Sequence, residues 1–562
     1  MRKRVASGGV TVQAVAGNHA VFFGLDLSEA ARAGCLGFAV HRIDHDPQTP
    51  EQYWLSGFKT FRSVVPNPDP KAFYSTRAHP MQTFYWSDYT AKPGHDYTYR
   101  FVPRYGEPKN LQDHDGVEAT IEVSSNDPAK GMHGVYFNLG VAASQAYENK
   151  FELPPDKLAP AKQAEALAWL SRGLLEAVVA FIAQATSSGH ALRAAVYEFT
   201  EPAVLRAFLA AHEAGADVRI VYHASADETG DANRVAIVKA GLPDSILDRR
   251  THAKIAHNKF IVLCTKNAGA DLAPMAVWTG STNLSHGGIF GHSNVGHAVR
   301  DPAVARRFLD LWGQLEADPN TDALRDWVGA NSPFDEDEVA KDGIHTLFSP
   351  RHGLDPLRWY ARRFGGGTAS VHITEAFGMG KLFEDALKAY TGDGLHYVLL
   401  DKRDDNQDEW SADRKVLVSV GSLGGPSSLE RWAQEALTNY NPRVPYLHTK
   451  VLLLDPLGAN PTVITGSANF SPDSTDANDE NMLVVNGDRE LADVYFTEFA
   501  RIFNHFYARY WAAELKKRHT GEPADTKSFL EETDAWIAPY FNPASPKHLQ
   551  RVLFSSGVEG NV

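Results

Sequence analysis

Two segments of the chain carry the same polar residues around an apolar run, and this duplication constrains the fold more than any other feature. Residues 256–264 read AHNKFIVLC and residues 447–455 read LHTKVLLLD, so each contains His-x-Lys followed by an apolar stretch. Each is followed by a second stretch, which ends in TGSTNLS at 279–285 or in TGSANFS at 465–471. One His-x-Lys arises easily by chance, but two copies in matching contexts indicate an internal repeat.

The spacing within each copy predicts a shared polar site. Side chains two positions apart on a strand point to the same face. Burial of a lysine is costly unless it faces an anion or a polar cleft. Pairing of the repeats about a pseudo-twofold axis would surround one cavity with two imidazoles, two ammonium groups and two amides, which suits a phosphodiester. The residues concerned are His257, Lys259, Asn283, His448, Lys450 and Asn469.

The remaining sequence predicts three kinds of structure. Residues 1–125 contain short apolar runs between Pro, Gly and Asp turns, which is typical of a β-sandwich. Beyond residue 130, apolar runs alternate with helical patterns, which predicts parallel strands covered by helices. This alternation resumes after the acidic segment FDEDEVAKDG. We therefore predict a sandwich domain at 1–125, one repeat at 130–335, a second repeat at 343–515 and a C-terminal extension at 516–562.

Composition limits the function classes. The 562 residues are 43% hydrophobic and 22% charged, as in a globular protein. Two cysteines and an N-terminus without an unbroken apolar core favour the cytoplasm over secretion. The apolar segment 166–185 is interrupted by Ser171, Arg172 and Glu176, so we interpret it as one buried amphipathic helix. A net charge of -14 weakens a nucleic-acid function.

Two resemblances to known families follow from these motifs. His-x-Lys-(x)4-Asp followed by Gly-Ser-x-Asn, present twice, resembles the phospholipase D superfamily. The segment KPGHDYTYRFVPRY at 92–105 resembles the Pro-Gly-x-x-Tyr corner of fibronectin type III domains. The first resemblance implies an α/β fold, in which two αβα sandwich repeats form a pseudo-twofold core after the all-β domain. It also implies a phosphodiesterase with a covalent phosphohistidine and with neither metal nor cofactor.

The second motif matches the superfamily pattern fully, whereas the first departs from it. Cys264 stands where Asp455 supplies the motif aspartate, a residue with a structural part in the family. The resemblance also implies that Ser281 and Ser467 contact substrate. Further along, the family places an acidic or amide residue before Asn, and NDENMLVV supplies Glu480 at that point.

The first repeat has GHSNVGHAV in the corresponding stretch, which gives Ser293. In relatives the acidic residue of one repeat orients the histidine of the other, so the resemblance implies that Glu480 pairs with His257 and that His448 lies near Ser293. A carboxylate on the second ring nitrogen fixes the tautomer of an imidazole and raises its basicity. We therefore interpret His257 as the nucleophile and His448 as the general acid, although these roles can reverse.

Other interpretations remain open at this stage. The asparagines could cap turns, the lysines could be surface residues at strand ends, and Glu480 could lie in a solvated acidic loop. Zinc ligands are not expected, because the histidines lack nearby Cys, His or Glu partners and each has a lysine beside it. His286, His292 and His297 are interpreted as polar loop residues.

The leading function is a phospholipase D that hydrolyses or transfers a phospholipid headgroup, with an active site built within one chain and transient membrane contact. A metal-independent nuclease is the first alternative, and a non-catalytic binding protein is the second.

Overall fold

A computed structural model describes six stretches of the chain: residues 1–69, 72–140, 144–266, 271–421, 447–518 and 529–556. Within them the chain forms an N-terminal β-sandwich and two α/β repeats, which confirms the predicted fold class.

Two antiparallel four-stranded sheets form the N-terminal sandwich. Their inner faces are lined by alternating buried residues, as in Ala119–Ser124. The corner predicted from Pro93-Gly94 is present, because the Lys92 backbone N–H donates to the Tyr97 hydroxyl oxygen at 2.7 Å. In spatial order, one sheet comprises Arg2–Ser7, Val10–Ala16, Val21–Leu27 and Tyr85–Asp88, and the other comprises Ala119–Ser124, Asp96–Pro103, Phe38–Asp44 and Glu51–Trp54. Short two-stranded ribbons pair Ser56–Gly57 with Tyr74–Ser75, Thr60–Phe61 with Phe529–Leu530, and Tyr105–Glu107 with Asn110–Gln112.

Each repeat contains a seven-stranded sheet, and the strand order is the same in both. The first sheet runs, in spatial order, through His133–Phe137, Val295–Val299, Leu272–Gly280, Lys259–Lys266, His190–Val196, Asp217–His223 and Leu247–Arg250. The second runs through Gly343–Ser349, Glu480–Asn486, Thr462–Gly466, Val451–Leu454, Ser370–Glu375, Leu395–Leu400 and Val416–Val420. The duplication seen in the sequence is therefore a duplication of topology.

The predicted parallel strands make up only part of each sheet. His190–Val196 is parallel to Asp217–His223 but antiparallel to Lys259–Lys266, and the second repeat has the same mixture. The His-x-Lys strand ends at Lys266 or Leu454 and the Gly-Ser-x-Asn strand begins soon afterwards at Leu272 or Thr462. Such a short connection joins antiparallel neighbours. As a result, both motifs of a repeat lie on adjacent strands.

Helices cover the sheets, and one of them differs from its prediction. The expected helix over 166–185 is two helices, because Arg172 and Gly173 adopt left-handed backbone conformations with φ of 50° and 89°. The α-helices are Glu29–Arg32, Ser144–Phe151, Pro160–Ser171, Leu174–Ile182, Pro202–Glu213, Glu228–Ala240, Pro302–Leu315, Thr321–Asn331, Glu336–Val339, Asp355–Gly365, Lys381–Ala389, Gln407–Trp410, Pro472–Asp476, Arg489–Arg518, Ala538–Phe541 and Pro546–Ser555. In the described part of the chain, none of these helices is both long and apolar enough to cross a bilayer.

The C-terminal segment packs against the N-terminal sandwich. The Trp536 side chain lies in the sandwich core, where its Nε1 donates to the Cys35 carbonyl oxygen at 2.8 Å and its ring stacks on Phe84 at 5.3 Å. At the opposite end of the chain, Arg2 forms an ion pair of 2.6 Å with Asp493 of the long helix. Both chain ends thus join the sandwich to the second repeat.

Candidate active site

The two motif histidines face each other across the junction of the repeats. Each lies just before its apolar strand, and the centroids of the His257 and His448 rings are 6.3 Å apart with an interplanar angle of 73°. The two residues are only 8% and 6% exposed. An atom between the rings would therefore be reached from opposite sides in a site that largely excludes water.

The motif lysines are buried beside the histidines. Lys259 Nζ donates to the carbonyl oxygen of His257 at 2.6 Å, and Lys450 Nζ donates to that of His448 at 2.7 Å. Burial lowers the pKa of Lys259 to about 8 and holds that of Lys450 well below its usual range. Two ammonium groups that resist burial are thus held where an entering anion would compensate them.

His257 is oriented by a carboxylate from the other repeat. Its Nδ1–H donates to both oxygens of Glu480, at 2.8 and 2.9 Å, and Glu480 also accepts from the Ser467 hydroxyl at 2.6 Å. Burial lowers the pKa of His257 to about 4, although Glu480 opposes that shift. The neutral ring therefore has its lone pair on Nε2, which is the nitrogen available for attack.

His448 is oriented by neutral acceptors. Its Nδ1–H donates to the Ser281 carbonyl oxygen at 3.0 Å and to Asn294 Oδ1 at 3.1 Å. The Asn294 amide is fixed in this sense, because its Nδ2 donates to the Gly288 carbonyl oxygen at 2.8 Å. Burial lowers the pKa of His448 well below its ordinary value, and Lys450 shifts it in the same direction. Both histidines are protonated at Nδ1, but His257 donates to a negatively charged carboxylate whereas His448 donates to neutral oxygens.

Ser293 lies beside His448, as predicted, but its side chain is not the counterpart of Glu480. Ser293 contacts His448 through its backbone, because its carbonyl oxygen accepts from the His448 N–H at 3.0 Å. The side chain behind the His448 ring belongs to the next residue, Asn294. Thirteen positions separate each motif serine from its partner, from Ser281 to Asn294 and from Ser467 to Glu480. Counting from the serine would have identified Asn294.

The motif serines secure the residues that orient the histidines. The Ser281 hydroxyl donates to Asn294 Oδ1 at 2.9 Å, as the Ser467 hydroxyl does to Glu480. These hydroxyls are already engaged, and their contact with substrate stays a prediction. The side-chain oxygens of Asn283 and Asn469 are buried and have no partner among the described residues. Each of these oxygens can still accept a hydrogen bond, and contact of the two Nδ2 groups with a phosphate stays a prediction.

Further residues around the site were not identified from the sequence. The Tyr197 ring lies 5.0 Å from that of His257 and 5.3 Å from Lys259 Nζ. Arg250 is fully buried and forms a 2.8 Å ion pair with Asp479, the neighbour of Glu480. Tyr197 follows the strand that pairs with Lys259, so only the sheet order places it there.

Asp455 and Cys264 lie away from the imidazoles. Asp455 Oδ1 accepts the backbone N–H groups of Ala369 and Ser370 at 2.7 and 2.9 Å, which holds the start of a neighbouring strand. Cys264 is buried in its strand, where burial raises the pKa of its thiol to about 11. In the described ranges, no three His, Cys, Asp or Glu side chains cluster as a metal site would require.

Comparison with models of protein families identifies the family to which the chain is related. The model of a family described as "Cardiolipin synthase, PLD-like domain" matches residues 178–314 and again residues 369–503. The chain belongs to the phospholipase D superfamily. Each match covers six of the seven strands of one sheet together with its His-x-Lys and Gly-Ser-x-Asn motifs, so this phospholipase D-like chain contains both halves of the site. No match was found among curated protein sequences.

Solved structures related to this phospholipase D-like chain are distant. A polyphosphate kinase from Porphyromonas gingivalis is 12% identical, with a TM-score of 0.38 over 58% of this chain and 48% of the kinase. The chain thus spans about half the length of that protein. Phosphatidylserine synthase from Haemophilus influenzae is 12% identical, with a TM-score of 0.40 over 64% of this chain and 93% of the synthase. Nuc from Salmonella typhimurium, a phospholipase D family member, is 25% identical, with a TM-score of 0.21 over 25% and 86% of the two chains.

Proposed function

We propose that the protein cleaves or transfers a phosphodiester in two steps, through a covalent phosphohistidine on His257. The observation that carries this proposal is the facing pair of imidazoles, 6.3 Å apart between centroids and both protonated at Nδ1 toward fixed acceptors. Each Nε2 is thereby left for chemistry. Such a pair can attack phosphorus on one side and exchange a proton with an oxygen on the other.

The phosphohistidine forms in the first step and breaks down in the second. In the first, His257 Nε2 forms a bond to phosphorus, the bond from phosphorus to the leaving oxygen breaks, and that oxygen takes a proton from His448 Nε2. In the second, water or an alcohol gives a proton to His448 Nε2 and bonds to phosphorus, while the phosphorus–nitrogen bond breaks. Lys259, Lys450 and the two motif amides would stabilise the charge on the non-bridging oxygens.

Substrate binding favours the protonated form of His448 that the first step requires. In the free site, burial and the neighbouring lysines lower the pKa of His448 and favour the neutral ring. A bound phosphodiester anion opposes the lysine charges, so it raises that pKa and favours uptake of the proton that the leaving oxygen needs. The order of the roles, with His257 attacking and His448 acting as the acid, is supported by the carboxylate behind His257.

We favour a phospholipid headgroup as the group that is released or exchanged. The matching family is described by a lipid-synthesising enzyme, and the net charge of -14 opposes long-range attraction of nucleic acid. A metal-independent nuclease is the alternative substrate class, because the same site chemistry would serve a nucleic-acid diester. A binding protein without activity is disfavoured, because both halves of the site retain their polar residues.

A trapping experiment tests the covalent step. The His448→Asn variant, incubated with radiolabelled bis(p-nitrophenyl) phosphate, should retain phosphate on His257, because the phenolate leaves without a proton whereas the second step lacks its base. Phosphopeptide mapping identifies the labelled residue, and His257→Asn is the matched control that should stay unlabelled. A label on His448 in that control would reverse the roles, and no label in either variant would contradict the covalent mechanism.

A substrate panel tests the substrate class. The native protein is offered phosphatidylcholine vesicles, single- and double-stranded DNA and bis(p-nitrophenyl) phosphate, all with chelator present. Choline release is expected, and an added primary alcohol would reveal transfer through a new phosphatidyl ester. Cleavage of DNA without choline release would contradict the lipid assignment, whereas the absence of turnover on every ester would favour the binding protein.

A further inference from the structure

A third imidazole lies in the site, and the two-histidine mechanism leaves it unused. The His292 ring centroid is 5.9 Å from that of His448, and the residue is only 3% exposed. Neither of its ring nitrogens has a hydrogen-bond partner among the described residues. A buried polar group without a partner is costly, so this ring is expected to have a ligand that is not part of the protein.

The backbone holds His292 firmly in this place. Its N–H donates to the Gly287 carbonyl oxygen at 3.1 Å, and its own carbonyl oxygen accepts from Asn138 Nδ2 at 2.7 Å. Gly140 approaches so closely that a Cβ there would lie 2.9 Å from the His292 carbonyl oxygen. The backbone that carries the ring is therefore held by hydrogen bonds and close packing. Solvent exposure does not explain why the two ring nitrogens lack partners, because the residue is buried.

The second repeat has a buried polar residue, Asn478, at the position equivalent to His292. His292 precedes Asn294 by two residues, and Asn478 precedes Glu480 by two residues. Asn478 is also buried, and its side-chain oxygen lacks a partner in the described part of the chain. Each half thus has a buried side chain with an unpaired polar atom two residues before the residue that orients the opposite histidine. An imidazole occupies the position on the His448 side.

The charge around His292 favours its neutral form. Burial lowers its pKa to about 4, and Lys450 acts in the same direction. A neutral imidazole has one N–H donor and one acceptor nitrogen. It can therefore bind an oxygen that first leaves phosphorus and needs a donor, and later a water or alcohol that offers a proton and needs an acceptor.

We propose that His292 binds the oxygen that leaves and enters on the His448 side of phosphorus, and so orients the leaving hydroxyl and the attacking water or alcohol. This inference rests on the proposed function. His448 exchanges the proton in both steps, and His292 neither gains nor loses one. His292 is accordingly a residue that selects the acceptor, water or alcohol, that resolves the phosphoenzyme.

The test separates the two steps with a substrate whose leaving group needs no proton. With bis(p-nitrophenyl) phosphate, the His292→Gln variant should keep the first-step burst within about twofold, because the phenolate leaves unassisted. Breakdown of the phosphoenzyme should slow on the order of 100-fold, as after loss of a hydrogen bond to a reacting oxygen. The partition between hydrolysis and transfer to added ethanol should change as well.

His372→Gln is the matched control. His372 is a buried histidine whose ring stacks on Tyr397 at 4.6 Å, away from the site. This control should leave both the partition and the ratio of burst to turnover unchanged. Parallel loss of burst and turnover in His292→Gln would indicate a structural role and overturn the proposal, as would unchanged turnover. Absence of label on His257 in the trapping experiment with His448→Asn would instead contradict the proposed function.

A crystal structure of the native protein with vanadate provides a second measurement that needs no variant. The proposal expects a His292 ring nitrogen within hydrogen-bond distance, about 3 Å, of the axial vanadate oxygen on the His448 side. A His292 ring that stays out of contact with that oxygen would overturn the proposal even if His292→Gln failed to fold.

Discussion

At the residue scale, the site depends on how each buried charge is compensated. The ammonium groups of Lys259 and Lys450 donate to the carbonyl oxygens of His257 and His448, and the Glu480 carboxylate accepts from His257 beside them. Burial lowers the pKa of both lysines, and the cluster is therefore tuned to an anionic ligand.

The pH dependence of anion binding follows from this arrangement. The pKa of Lys259 is lowered to about 8, so its charge is present below that pH and is lost as the pH rises through it. We expect competitive inhibition by inorganic phosphate to weaken progressively above pH 8 in steady-state assays. The variant Lys254→Ala, altered at an exposed lysine, should follow the same curve as the native protein. Constant inhibition up to pH 10 would contradict the lowered pKa.

At the element scale, the glycine of each Gly-Ser-x-Asn motif lets two strands approach closely. A Cβ on Gly466 would lie 2.2 Å from the carbonyl oxygen of Asn481 on the adjacent strand. That strand begins at Glu480, which orients His257. The glycine therefore sets the distance between the motif serine and the carboxylate it holds.

The variant Gly466→Ala should disturb both stability and activity. Displacement of the adjacent strand should cost about 1–3 kcal/mol in the free energy of unfolding, measured with urea. Turnover should fall with it, because Glu480 moves away from His257. Gly313→Ala is the control, since a Cβ at Gly313 within the helix Pro302–Leu315 meets no atom within 4 Å. It should stabilise the protein by up to about 1 kcal/mol. Equal effects of the two variants would contradict this account.

At the scale of the whole molecule, a buried ion pair joins the repeats beside the site. Arg250 ends the last strand of the first sheet and pairs with Asp479 of the second repeat at 2.8 Å. It also contacts Asp318 at 2.7 Å. Asp318 belongs to the same repeat as Arg250, so it is the Asp479 carboxylate that gains its partner only when both repeats are in place.

Removal of the arginine should be strongly destabilising. Arg250→Ala leaves the Asp479 carboxylate buried without its partner, which should lower the free energy of unfolding by about 3–5 kcal/mol. Lys254→Ala breaks the exposed pair with Asp473 and should cost less than about 1 kcal/mol. Urea unfolding compares the two variants, and similar losses would show that burial of the Arg250 pair contributes little.

We expect one chain to supply the whole site, and mixing experiments can check this. Equimolar His257→Asn and His448→Asn proteins should stay inactive together, because each molecule lacks one of the facing imidazoles. Turnover of bis(p-nitrophenyl) phosphate is the readout, with native protein diluted into inactive variant as the control. Recovery of activity on mixing would show that the site can be completed by a second chain.

The sequence alone determined the duplication, the α/β class and the two motifs, because these depend on spacing within a strand and on local periodicity. His257 and Lys259 share a face wherever the strand lies, and the same holds for His448 and Lys450. The helical periodicity over 166–185 did not predict the left-handed conformation of Arg172, which ends the helix early, although Gly173 follows it. Periodicity reports an apolar face and is insensitive to a single reversed turn.

Only the tertiary structure decided which groups stand behind and beside the histidines. Asn294 lies 154 positions from His448, Glu480 lies 223 positions from His257, and Asp479 lies 229 positions from Arg250. The sequence pattern predicts only that His292 is a polar loop residue. In the structure its ring centroid lies 5.9 Å from that of His448, which belongs to the opposite repeat. Contacts of this range arise from the packing of two complete sheets, and no local pattern encodes them.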